Sequence, residues 1–182
     1  MNIMIILAGV AVLVAVAAAF AGAYLYRIWR EQRVRRALMS VIRRDEAIKA
    51  AVNTLNRLLE RLASASDEEL LRFASDPEDE DRVAFGEVAN SMRIVVDELE
   101  RTEAPKSVES IVLEMEGVAG RIAAAAGSAD GVGDDRDVLA AAGSIDLVAL
   151  GDLVRQMDVG VHELASQHGI SDSSVYGGGL YI

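Results

Sequence analysis

Apolar residues along this chain fall into two kinds of pattern, one unbroken run and then several stripes of three-four spacing. Ile3 to Tyr26 contains no charged side chain. At 1.5 Å per helical residue this run reaches about 36 Å, enough to cross a hydrocarbon core of roughly 30 Å with some tilt. From Leu38 to Leu62 the apolar positions Leu38, Val41, Ile48, Val52, Leu55, Leu59 and Leu62 alternate by three and four, with Asp45 in the same series. That is a heptad seam, with Leu38, Asp45, Val52 and Leu59 at one core position and Val41, Ile48, Leu55 and Leu62 at the other. Asp45 is accounted for by Arg44 beside it, or by hydration at the near end of the seam, and carries no functional expectation.

The rod should end near Ser66. Ser66 precedes Asp67, Glu68 and Glu69 in the order of a capping box and predicts a short helix through Phe73. Pro77 breaks it, and the acids Glu78 to Asp81 open another helix that carries Phe85, Val88, Met92, Val95 and Leu99 on one face and stops before Pro105. Ser107 opens a helix with Val108, Ile111, Val112, Met115, Val118 and Ile122 inward, ended by Gly127. The Gly-rich, Asp-rich segment 127–143 reads as a flexible loop. The last long helix, Ser144 to about His168, repeats the seam with Leu147, Leu150, Val154, Met157, Val161 and Leu164.

The expected fold is all-α: a single N-terminal transmembrane helix continuing into a juxtamembrane, coiled-coil-like helix, with a cytoplasmic antiparallel helical bundle. In residue terms, 1–27 is the anchor, 28–65 a basic stem, 66–168 an acidic bundle containing the 127–143 loop, and 169–182 a flexible tail. A cleaved signal peptide is the competing reading, with Ala21-Gly22-Ala23 as a small-x-small site. It is disfavoured because no Lys or Arg precedes the apolar run and the run exceeds a signal core of about 7 to 15 residues.

Charge gives the orientation. Between Arg27 and Arg61 ten Lys or Arg face four acids, a balance of +6, so a net charge of −11 leaves −17 for the rest. Positive residues flanking a spanning helix stay cytoplasmic, which places the N-terminus outside and the bulk of the chain at the inner face of the cell membrane. Arg27, Trp29, Arg30, Arg33, Arg35 and Arg36 are the expected membrane-interface residues, drawn to an anionic inner leaflet. Nucleic acid is excluded as a partner by the acidic remainder. Ala11, Ala15, Ala18 and Gly22 repeat at three-four spacing, with Ala18 and Gly22 as a small-xxx-small pair, and predict a homo-oligomer through this face.

Candidate chemistry is thin. The chain has no cysteine, which removes disulfides, thiolate metal sites and a cysteine nucleophile. The aspartates of the 127–143 segment fail the EF-hand template, because a loop starting at Asp130 has Gly131, Asp134 and Ala141 at positions two, five and twelve, where the motif needs ligands at one, three and five and a bidentate Glu at twelve. His162-Glu163 with His168 lacks the spacing of a zinc helix motif, since Ser166 occupies the second histidine position. The triplet His162-Glu163-Leu164 resembles the phosphoacceptor box of sensor histidine kinases, without the Arg-Thr-Pro that usually follows, and His162 is expected to be a surface or helix-end residue. No cofactor is expected.

The chain closes on Leu180-Tyr181-Ile182. This ending resembles the hydrophobic-tyrosine-any terminus of proteasome activators, and the resemblance implies that Tyr181 and the terminal carboxylate enter pockets between ring subunits. It is equally similar to the terminal ligands of peptide-binding domains, and Val175, Tyr176, Leu180 and Tyr181 could also fold back onto the bundle. The functional expectation is a non-catalytic, single-pass scaffold or interaction protein. The alternatives are an adaptor presenting Leu180, Tyr181 and Ile182 to a ring or peptide-binding domain, and a component of a transmembrane signalling assembly.

Overall fold

The computed structural model describes the backbone of residues 2–130 and 135–170, and the side chains of 17–130 and 137–170. Every regular element among them is helical: α1 (Asn2–Ser64), α2 (Asp67–Ser75), α3 (Glu80–Glu100), α4 (Lys106–Asp130), α5 (Asp135–Gly143) and α6 (Leu147–Gln167).

Local signals set the breaks. α1 stops where Ser66 caps α2 in a complete capping box: the Ser66 hydroxyl accepts the Glu69 N–H, and the Glu69 carboxylate accepts the Ser66 N–H at 2.7 Å. Asp79 caps α3 by accepting the Asp81 N–H at 3.0 Å, and Asp146 caps α6 by accepting the Ala149 N–H at 2.9 Å. α6 ends in a Schellman turn. Gly169 takes φ +66°, the Ile170 N–H reaches back to the Ala165 carbonyl, and Ile170 is buried.

The long helices form one up-down-up-down bundle. Ion pairs Arg44–Glu98 and Arg61–Asp81 run α1 antiparallel to α3. Gly86 lies against Asp130 and Gly127 against Ala89, so α3 and α4 form a close antiparallel hairpin. Gly160 lies against Ile111 and Lys49 pairs with Asp158 midway, while Leu147 lies by Leu59 and Leu62 at one end and His168 by Arg27 and Ser107 at the other, which sets α6 antiparallel to both α4 and α1. The seams expected from the sequence meet one another in the interior, where Leu38, Val41, Ile48, Leu55, Phe85, Met92, Leu99, Met115, Ile122 and Met157 are almost fully enclosed. The bundle therefore closes within one chain, and its first helix is the stem itself, so 28–65 and 66–168 share a core. At the far end α2 and α5 pack together, and Phe73 of α2 meets Phe85 of α3 edge to face with ring centroids 5.9 Å apart.

The flexible loop expected over 127–143 is corrected for its described residues, 131–134 lying outside them. α4 continues through Gly127 to Asp130, with Ala126 and Ala129 fully buried, and α5 occupies 135–143 with Val138 and Ala142 buried. Packing outweighs the propensity of glycine and aspartate to break a helix. Among the described residues no helix is long and apolar enough to cross a membrane. Most of the apolar run, through residue 16, has its side chains outside them.

Candidate functional site

The face of α1 that leaves the core is basic. Val34, Leu38, Val41, Asp45 and Ile48 point inward and are buried, while Gln32, Arg36 and Arg43 lie half a helical turn away and are exposed. All six residues expected at a membrane border, Arg27, Trp29, Arg30, Arg33, Arg35 and Arg36, are exposed on α1. Trp29 packs beside Tyr26, with ring centroids 6.2 Å apart, and the Arg33 guanidinium stands 5.5 Å over the Trp29 ring.

Their charges are not equally satisfied. Arg27 pairs with Glu31 at 3.0 Å, Arg33 with Glu103 at 3.2 Å, and Arg44 with Glu98 at 3.2 Å, all to residues of the same chain. Arg30, Arg35, Arg36 and Arg43 form no ion pair with a described residue. Two grooves share Gln32 and Arg35. The lower, of about 820 Å³, lies between Arg27, Arg30 and Arg35 of the stem and Ser107, Gln167 and His168 at the base of the bundle. The upper, of about 550 Å³, is lined by Arg35, Arg36, Arg43 and Arg44 with Ser40, Met39 and Glu98.

A second polar constellation lies inside the bundle. Asp45 is 1% exposed, with Oδ2 2.7 Å from Lys49 Nζ and no hydrogen-bond partner at Oδ1. Lys49 also bonds Asp158 of α6 and Glu46, and His162 Nδ1 lies 3.1 Å from the Asp158 carboxylate. Burial pushes the Asp45 carboxyl above its ordinary range, against the pull of Lys49 and with the help of Asp158. Burial works against the charge on Asp158 too, but bonds from Lys49, the His162 charge and Asp45 hold it lower than usual. For Lys49, burial is more than offset by its bonds to Asp158 and Asp45, and the amine is held above the ordinary lysine value. The arrangement is two carboxyls held by one ammonium, and none of the three lines either basic groove.

Sequence reasoning gave Asp45 no role. The available signal was Lys49 one turn later in an apolar seam; the second carboxylate comes from α6. His162, expected to be a surface or helix-end residue, is exposed but belongs to this network. The structure does not join His162 to the basic face of the stem.

Of the self-association residues, Ala18 and Gly22 are exposed, with open space around Gly22, while the side chains of Ala11 and Ala15 lie outside the described residues. The tail residues Leu180, Tyr181 and Ile182 lie outside them as well. In comparisons with known proteins, no family model, no curated protein and no solved structure matches this chain.

Proposed function

We propose that the chain is a non-catalytic, single-pass helical scaffold: anchored by residues 3–26, N-terminus outside, and presenting its bundle at the cytoplasmic face of the cell membrane. The observation that carries this reading is α1 itself. One helix bears the apolar run at its start, aromatic and basic residues directly after it, and a quarter of the bundle core beyond. An anchor built this way transmits position rigidly, because no loop separates it from the domain.

Exposed Arg30, which pairs with no described residue, and the Arg33 guanidinium over Trp29 suit an anionic leaflet, where each basic residue near the surface contributes about 1 kcal/mol. Lateral self-association through Ala11, Ala15, Ala18 and Gly22 would make the scaffold multivalent. The Asp45–Lys49–Asp158 cluster supports a non-catalytic role, since its two carboxyls are held by its one ammonium.

The chain has no cysteine, so topology can be read with single introduced thiols. In membranes washed with alkaline carbonate, Asn2→Cys should react with an impermeant maleimide from outside, and Ser128→Cys only after permeabilisation. Release of the protein by carbonate, or the reverse labelling, refutes the reading. Crosslinking of the Ala18→Ile, Gly22→Ile double variant in the same membranes tests association. An undiminished dimer band removes that part of the proposal.

A further inference from the structure

The upper basic groove has more positive charge than the protein uses. In a chain with 29 acids and 18 Lys or Arg, the exposed arginines Arg35, Arg36 and Arg43 converge on one groove without a carboxylate of their own among the described residues. Arg36 and Arg43 stand two turns apart on the same face of α1, about 10.5 Å along the axis. Arg44, paired with Glu98 and bonded to Ser40, forms the fixed wall. Gln32 and Ser40 add neutral hydrogen-bonding groups.

These guanidiniums line one groove without a counter-charge of their own among the described residues, and a bound anion would supply it. Its charge must be concentrated. A carboxylate brings one negative charge and suits one guanidinium fork, whereas linked phosphates bring several charges and enough oxygens for three forks at once. The volume of about 550 Å³ is that of a small-molecule site.

We propose that this groove binds a small soluble anion carrying two or more linked phosphates, with Arg35, Arg36 and Arg43 as its charge-bearing contacts. A lipid headgroup has the same chemistry but the wrong height, a point that rests on the anchored reading of the chain. Arg36 and Arg43 lie about 15 and 26 Å along α1 beyond Tyr26, against a headgroup layer of roughly 5 to 8 Å. The lower groove, with Arg27 and Arg30, lies at headgroup depth and is left to lipid.

The test is titration of full-length protein with inorganic pyrophosphate by calorimetry, with fluorescence of the single tryptophan, Trp29, as a second signal. The protein is held in nanodiscs of phosphatidylcholine or of phosphatidylglycerol. The expected result is one saturable site in both lipids, weakened roughly tenfold or more in the R36Q/R43Q variant, with unfolding temperature unchanged. The R121Q variant, which alters an exposed arginine on α4, should bind like the parent. Absence of saturable binding, equal binding by R36Q/R43Q, or equal competition by chloride at matched ionic strength overturns the proposal. Loss of the site in phosphatidylglycerol alone overturns the soluble source and assigns the groove to lipid. Because the calorimetric site needs no spanning helix, a failed topology experiment and a failed titration are separate results.

Discussion

Replacing Lys49 with methionine removes the ammonium that holds two aspartates together in the bundle and leaves the stem's length and packing nearly intact. Asp45 is almost wholly enclosed, so without Lys49 it becomes a buried carboxylate with no cation. Breaking a fully buried pair from one side costs about 3–5 kcal/mol. Lys49 and Asp158 retain side-chain exposures of 26% and 30%, and solvent there screens part of the loss, so the expected cost at neutral pH is about 2–4 kcal/mol. For a domain of this size that lowers Tm by roughly 8–15 °C.

The pH dependence has a definite sign. Asp45 has a raised value in the folded protein, so its contribution is complete below the unfolded aspartate value and is lost as pH rises through the folded one. Asp158 is lowered, so its contribution is present above the unfolded value and lost as pH falls through its folded one. Lys49, raised, contributes through neutral pH and loses that contribution in strong alkali. The K49M deficit should therefore shrink between pH 7.5 and about pH 5, as the stranded Asp45 takes up a proton. Thermal unfolding followed by circular dichroism, parent against K49M at both pH values, reads this directly. The D45N/K49M double variant should recover more than half of the neutral-pH loss. A K49M deficit that is the same at both pH values, or a double variant no better than the single one, shows that the loss is packing and refutes the electrostatic argument.

Ala89 is fully buried where α3 meets Gly127 of α4; Ala89→Leu should overpack that contact and cost about 1–3 kcal/mol, seen as a lower urea midpoint at constant slope. Phe73→Ala removes the ring that ties α2 to Phe85 and should cost about 3–5 kcal/mol, with rapid hydrogen exchange at α2 amides before the long helices open. Ser66→Ala breaks one half of the capping box and should cost about 1 kcal/mol, with the exchange change centred on the first turn of α2.

Helical periodicity made the bundle legible because each stripe is long and its partners are similar stripes. Leu38, Val41, Ile48 and Leu55 are buried as the seam requires. Val52, Leu59 and Leu62 are only half-buried, and Ala51 and Leu58 are buried instead. A straight helix of 3.6 residues per turn drifts off a seven-residue repeat, and this helix faces three neighbours rather than one. The segment after Gly127 was misread because glycine and aspartate signal a loop locally, whereas Ala126 and Ala129 pack against the rest of the fold, a gain that local sequence does not display.

The two polar sites were half-legible for the same reason. Asp45 and Lys49 are one turn apart, but Asp158 joins them from 109 residues beyond Lys49. The arginine cluster is plain in the sequence, yet which members are neutralised depends on Glu98 and Glu103 arriving from the end of α3 and the connection after it.

These two sites constrain each other through the register of α1. A slip of one heptad would carry Asp45 about 10.5 Å along α6, past Asp158 and into apolar surroundings, where an unpaired buried carboxylate is costly. A single polar position in an apolar seam thereby fixes alignment in a way that interchangeable Leu and Val positions do not. The same alignment brings Arg33 to Glu103 and Arg44 to Glu98. It leaves Arg36 and Arg43 on the side of α1 opposite the core, and neither they nor Arg35 form an ion pair with a described residue. The exposed charge of the groove is thus set by an ion pair in the interior, and α1 carries that setting without a break toward the apolar run at its N-terminal end.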